Sequence, residues 1–379
     1  MIPYFKPNLG QEEKTAVNLV IDSGWLTTGK VSNEFEKLFL KKFNFTDKFA
    51  CGVNSATSGL QLCLEAFNFK SGAEVIVPSM TYTATAGAVL SSNLKPIIVD
   101  VDEDNLLTAE IIEKAITKNT VAVIPVHFAG KTCEMHAINQ LCEEKKIKII
   151  EDAAHSNPAK YSDGGWVGTY GNPCVFSFYA NKTMTTGEGG MIICSNEEYN
   201  QQLITKRNHG IDRNVFDRFS GNSKKWDYDV IQKGFKFNLP DLNASIGIIQ
   251  LDKLFIDQEK RQFIAETYRN LLKGSDEIFF TSAASHEGLH SYHLFQVSSL
   301  SNHIKFRENL INLFEHNKIG YSAHYKPLHL MKQWSNYSNE KNYKNSEKHF
   351  ESSLSLPIYP DLSIEDVNKI SDVINSARV

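Results

Sequence analysis

The sequence predicts an α/β protein: a mixed, mostly parallel sheet flanked by helices, followed by a smaller α+β C-terminal domain. Three observations carry that expectation. Over the first 240 residues, short β-branched runs alternate with helical patterns. The runs are apolar at successive positions, as strands covered on both faces are. Beyond residue 245 the alternation stops.

The first helical pattern with a clear face carries Phe35, Leu38, Phe39 and Phe43, with Asn33 as its expected cap. A strand-like Phe49-Ala-Cys-Gly-Val53 runs into Asn54, Ser55, Thr57 and Ser58, then into a helical L-Q-L-C-L-E-A-F. The next strands are Glu74–Val77, Pro96–Val99, Val121–Ile124, Lys148–Ile150, Cys174–Phe178 and Met191–Cys194. Met135, Ile138, Leu141 and Cys142 share one helix face between two of them. Residues 212–228 are polar and aromatic and read as a long loop or flap. Pro240-Asp241 opens a helix expected to reach Leu272 and to stop at Gly274. Leu294–Val297 and Tyr321–His324 read as strands, 335–349 as a loop or solvated helix, and Ser363-Ile-Glu-Asp366 as a capping box. The expected division is therefore a large domain over 1–244 and a small one over 245–379.

Composition narrows the function. With 40 Lys+Arg against 44 Asp+Glu the net charge is −4, too mild to point to nucleic acid or an acidic membrane surface. No apolar run approaches the roughly 20 residues of a membrane span. The amino-terminal residues show no secretion signal, and the six cysteines form no C-x-x-C pair, so reduced buried thiols and a cytoplasmic location are expected. No His/Cys cluster has metal-ligand spacing.

Four elements carry chemistry. Asp152 ends an apolar strand, which in an open α/β sheet is the ligand-binding edge. Lys182 follows a second strand on a Gly-rich loop. Thr57 and Ser58 stand at a helix start, where hydroxyls and free N–H groups suit a phosphate. Tyr82 lies just past another strand end, where its ring can cover a flat ligand. Singly, each has an ordinary structural explanation: a solvated acid, a surface lysine, a helix cap, a core tyrosine. Together they match pyridoxal 5′-phosphate, which needs a lysine anchor, an acid for its ring nitrogen, a phosphate cradle and a stacking ring.

The order of motifs resembles the sugar aminotransferases of the DegT/DnrJ/EryC1/StrS family, a branch of fold-type I pyridoxal phosphate enzymes. The resemblance runs along nearly the whole chain. It is carried by S-G-W-L-T-T-G at 23–29, V-I-V-P-S-M-T-Y-T-A-T, P-V-H-F-A-G, I-E-D-A-A-H, F-S-F-Y-A-N-K, G-E-G-G-M, G-F-K-F-N-L-P-D, H-Y-K-P-L-H and S-L-P-I-Y-P. It implies that Lys182 holds the cofactor covalently and that Asp152 faces the pyridine nitrogen. It also implies phosphate contacts from Thr57, Ser58 and Ser177, and stacking by Tyr82 over Ala154. His155, at a position where many relatives have Gln, is a further cofactor-binding residue by this resemblance, and Asn238 reaches the cofactor phosphate of a neighbouring subunit. The resemblance thus implies a homodimer with shared sites, L-glutamate as amino donor and a nucleotide-linked keto sugar as acceptor, for bacterial surface glycans. The T-T-G-E-G-G loop is similar to members that aminate a 4-keto-6-deoxy sugar. The alternatives are a 3-keto sugar or a non-catalytic sensor of the same fold. The dehydratase branch, which has histidine at the lysine position, is opposed by Lys182. His324 and His329 are candidate substrate contacts, with Thr27 and Thr28 near the site and Trp25 as packing.

Overall fold

The computed structural model describes residues 1–212, 228–272, 278–280, 287–299, 303–338 and 342–377. Seven strand positions build one main sheet. β2 (Glu74–Pro78), β3 (Lys95–Val99), β4 (Thr120–Val123) and β5 (Lys148–Ile149) pair in parallel, in the order β3-β2-β4-β5. β6 (Glu151–Asp152), β7 (Cys174–Ser177), β8 (Gly190–Cys194) and β1 (Phe49–Val53) continue it as β6-β7-β8-β1. Only β8 runs antiparallel to its neighbours. The two halves join because the chain from 148 to 152 passes between β4 and β7. The Ile150 N–H donates to the Val123 carbonyl, and the Asp152 N–H to the Pro125 carbonyl.

Of the runs predicted as doubly covered, those in β2, β7 and β8 are buried at every residue, while Val121 of β4 is half-buried and Lys148 of β5 is exposed. One face is closed by α2 (Lys30–Lys42), α5 (Ala109–Ala115), α6 (Met135–Lys145) and the first half of α8 (Asp241–Leu272), through Phe35, Phe39, Ile112, Ile138 and Leu254. The other is closed by α3 (Ala56–Ala66), α4 (Thr83–Ser91) and α7 (Glu197–Lys206), through Leu60, Leu64, Val89 and Leu203. The second half of α8 belongs to a third core, with Ile264, Tyr268 and Leu272 against Phe295, Leu310, Leu356 and Ile370. That core covers a small antiparallel sheet, β11-β10-β9, formed by Leu354–Leu356, Phe295–Ser299 and Ile278–Phe280. It also holds α9 (His303–His316) and α11 (Ile364–Ser376), and α10 (Lys344–Ser352) lies beside it.

Several expectations need correction. α2 starts at Lys30 with Gly29 as its cap; Asn33 lies inside the helix, exposed. The reason is tertiary. The buried Asp241 carboxylate accepts from the N–H groups of Gly29, Val31 and Ser32 at 2.8, 3.2 and 2.9 Å, supplying the cap from the start of α8. A Cβ on Gly29 would stand 2.3 Å from the Trp25 indole nitrogen and 2.8 Å from an Asp241 oxygen, so glycine is required there, and Trp25 is packing. Tyr321–His324 is no strand. Ser322 makes one bridge to Ser355 of β11, and the chain then leaves that sheet, its Leu328 N–H donating to the Ser79 carbonyl just past β2. Within 335–349 the structure has a short turn at Ser335–Tyr337 and the start of α10. Most of the 212–228 stretch, and Gly274, lie outside the described residues. Ser363 caps the last helix as expected, its hydroxyl accepting from the Asp366 N–H at 3.1 Å, but the Asp366 carboxylate accepts from that hydroxyl at 3.0 Å and not from the Ser363 N–H as a full capping box requires. All six cysteines are buried and unpaired. No helix among the described residues is long and apolar enough to cross a membrane.

Candidate active site

The carboxyl ends of β6 and β7 open onto a cavity of about 440 Å³. Its wall includes Thr57, Tyr82, Asp152, Ala154, His155, Ser177 and Lys182, so seven predicted positions meet in one place. Adjacent acids on β6 have opposite fates. Glu151 is satisfied by protein: its carboxylate accepts from His127 Nε2 at 3.0 Å, Asn172 Nδ2 at 3.0 Å and the Tyr161 hydroxyl. Asp152, on the other side of the strand, faces the cavity and, among the described residues, accepts from the Thr85 hydroxyl at 2.9 Å and the Ala154 N–H at 3.1 Å. Burial raises its carboxyl pKa, while those bonds and the Lys182 charge pull the other way. A buried carboxylate open on one side fits a cationic N–H donor.

Lys182 sits in the loop joining β7 to β8. Burial lowers its amine from 10.5 to about 8, against the opposing pull of Asp152. Its Nζ lies 3.4 Å from His293 Nε2. Gly190 lets this loop close onto the start of α3: a Cβ there would stand 2.8 Å from the Phe176 carbonyl oxygen and 3.0 Å from the Ala56 nitrogen.

The start of α3 is the anion end of the cavity. Ser55 is the cap, accepting from the Ser58 N–H at 3.1 Å, and the first turn leaves the Ala56 and Thr57 N–H groups outside the helix's own bonds. Thr57 is exposed to the cavity and Ser177 stands across from it at the end of β7. Ser58 is placed differently. It is buried behind the wall, with its hydroxyl donating to Asn54 Oδ1 at 2.5 Å. Asn238 is also off this wall: its amide donates to Thr28 Oγ1 at 2.5 Å and its backbone bridges Val53.

The region opposite is aromatic. Tyr82, 60% exposed, has its ring 5.8 Å from that of Tyr325. His155 is buried, bonded to the Ala129 N–H at 3.2 Å and the Tyr325 hydroxyl at 3.0 Å. His324 lines the cavity, held through Nδ1 to Ser355 at 2.8 Å, and burial pushes its pKa down to about 3. His329 does not line it. It bonds Ser79 at 2.7 Å and Glu347 at 3.1 Å and stacks on Tyr343.

The sequence does not single out Tyr325, Thr85, Asn181 or His293. The first three lie inside motifs whose other residues carry the expected chemistry. Asn181 Oδ1 is buried at the cavity edge with no hydrogen-bond partner among the described residues. His293 carries no local signal.

The residues fit pyridoxal phosphate: Thr57, Ser177 and the α3 N–H groups for its phosphate, Asp152 for its ring nitrogen, Lys182 for its carbonyl carbon, Tyr82 and Ala154 for its faces. Comparison with known proteins agrees. The DegT/DnrJ/EryC1/StrS aminotransferase family model matches residues 7–375. The chain is 37% identical over 381 residues to the uncharacterized protein MJ1066 of Methanocaldococcus jannaschii, covering 100% of this chain and 97% of that one. It is 34% identical over 382 residues to the spore coat polysaccharide biosynthesis protein SpsC of Bacillus subtilis, covering 100% and 96%. The structure superposes on Helicobacter pylori PseC, an aminotransferase involved in the biosynthesis of pseudoaminic acid, with a TM-score of 0.91 at 26% identity, covering 99% of this chain and 98% of that one. On the aminotransferase TlmJ of Streptoalloteichus hindustanus the TM-score is 0.90 at 28% identity, covering 100% and 98%. With the match spanning nearly the whole chain and the lysine, acid and helix start meeting in one cavity, this chain belongs to the DegT/DnrJ/EryC1/StrS aminotransferase family and is a pyridoxal-phosphate-dependent aminotransferase.

Proposed function

We propose that the chain moves the amino group of L-glutamate to the keto carbon of a 4-keto-6-deoxy nucleotide sugar, as a cytoplasmic homodimer with shared active sites, in the synthesis of a surface glycan. The observation that carries the reading is the meeting of Lys182, a buried Asp152 and the open first turn of α3 on one cavity. The polysaccharide role in the printed name of SpsC supports a sugar acceptor. The 4-keto position is supported by the T-T-G-E-G-G loop, whose Glu188 and Gly189 line the cavity.

Bound pyridoxal phosphate supplies the electron sink and the carbon that carries nitrogen between two substrates. The protein supplies the rest. Lys182, with an amine near neutrality, takes the proton from one substrate carbon and returns it to the other. Asp152 holds a proton on the ring nitrogen. Thr57, Ser177 and the start of α3 bind the phosphate, and Tyr82 and Ala154 hold the ring plane. A panel of UDP-, dTDP- and GDP-linked keto sugars assayed with glutamate tests the reading. Amination at C4 of one 4-keto sugar is expected; product amination at C3 only, or no amination of any sugar, overturns it.

Asn238 supports the shared site because it stands away from its own chain's cavity, beside Thr28. Large apolar side chains, Leu26 and Tyr179 among them, are also exposed in the single chain, as an interface requires. Mixing tests it. A Lys182→Ala subunit and an Asn238→Asp subunit, each inactive as a homodimer, are expected to give heterodimers with one intact site, and about half the activity of a wild-type dimer. Heterodimers that form and stay inactive refute the shared site.

A further inference from the structure

The bonds around His155 determine where its proton is, and with it the proton of Tyr325. Ala129 adopts left-handed backbone, φ 58°, which turns its N–H onto His155 Nδ1 at 3.2 Å. A backbone N–H can only donate, so Nδ1 carries the lone pair. Burial, aided by the Lys182 charge, pushes the ring's pKa well below the usual value, so the imidazole is neutral. Its proton is then on Nε2, and the 3.0 Å bond to Tyr325 runs from histidine to phenol. The reverse assignment would set an Nδ1–H against the Ala129 N–H at 3.2 Å, two donors face to face.

Tyr325 therefore accepts from His155 and keeps its own proton, because burial raises the phenol's pKa. Its ring is clamped: Met80 sulfur accepts the Tyr325 N–H at 3.3 Å, and the Phe128 and His324 rings stand edge-on at 6.1 and 4.9 Å. Both Tyr325 and His155 line the cavity.

We infer that the Tyr325 hydroxyl donates a hydrogen bond to a substrate oxygen in the cavity, and that Ala129 and His155 are positioning residues that fix it as a donor. The acceptor is the carboxylate of the amino donor or the keto oxygen of the sugar, so the inference rests on the proposed reaction. A polar contact of this kind, lost, is expected to slow the step by about 10- to 100-fold.

The test has one arm that needs no turnover. In ¹⁵N-histidine-labelled holoenzyme, His155 is expected as the neutral Nε2–H tautomer from pH 6 to 9. An Nδ1–H tautomer or a charged ring overturns the relay. Single-turnover reaction with L-glutamate, then with the keto sugar, separates the two acceptors. Tyr325→Phe should slow one half-reaction by the stated factor, at unchanged cofactor occupancy. His155→Leu should cost the same, and the double variant no more than either. His155→Gln should restore most of the loss, since an amide accepts from Ala129 and donates to Tyr325. Wild-type rates for Tyr325→Phe in both halves, or additive losses in the double variant, overturn the inference. A wild-type protein inert toward glutamate and every keto sugar, with the expected tautomer, refutes the proposed reaction and leaves the relay standing.

Discussion

Lys182→Ala is expected to lower turnover by about 10³-fold or more, since the variant loses both the covalent anchor and the general base. Wild-type protein should be yellow, and borohydride should fix the cofactor on a single peptide containing Lys182. Fixation on another lysine refutes the assignment. The cofactor-free protein offers a separate check. Burial lowers the Lys182 amine to about 8 from 10.5, so its reaction with an acylating reagent should rise through about pH 8, while exposed lysines respond about two units higher. The sign of the stability effect follows. Between about pH 8 and 10.5 the unfolded chain binds the Lys182 proton and the folded one does not. Stability of the cofactor-free wild type should therefore rise with pH across that window. In Lys182→Ala the contribution should vanish, and identical pH profiles for the two proteins would exclude a depressed amine.

Asp152→Asn is expected to cost about 10²- to 10³-fold in rate, because the charge that keeps the ring nitrogen protonated is gone while the shape is kept. The local structure tolerates the change. Ala154 can still donate to the remaining oxygen, and the Thr85 hydroxyl, already 2.8 Å from Thr81 Oγ1, has a second partner to turn to. Cofactor should be retained in part through Thr57, Ser177 and the start of α3. Burial raises the Asp152 pKa, so in cofactor-free protein the carboxylate is a cost, one that grows as pH rises above the ordinary carboxylate value. Asn should thus leave the melting temperature at pH 7 unchanged or higher. A lowered melting temperature with near wild-type rate would make Asp152 a structural residue and end the electron-sink role.

Both residues were legible in the sequence because each follows an apolar strand, Asp152 at its very end and Lys182 on the loop beyond it, and an open α/β sheet brings such ends to one edge. Thr57 was legible for a similar reason: a strand-to-helix junction rich in hydroxyls exposes N–H groups wherever the helix points. Ser58 shows the limit of that logic. Its type suits a phosphate as well as Thr57 does, but one residue further along the first turn its side chain rotates inward and is taken by Asn54. Helix phase at that resolution depends on which residue becomes the cap, here Ser55.

By itself the sequence determined the order of strands and helices, the burial of both sheet faces, the cofactor class and the lysine–acid pair, since these follow from local periodicity and from residue types at strand ends. Only the tertiary structure decided that Asp241 caps a helix 209 to 212 residues away, that His293 lies beside Lys182, and that Ala129, His155 and Tyr325 form one chain of bonds. The physical reason is directional. A hydrogen bond requires a donor and an acceptor placed within about 3 Å along a narrow range of angles, and between distant segments that placement is set by the packing of the three cores.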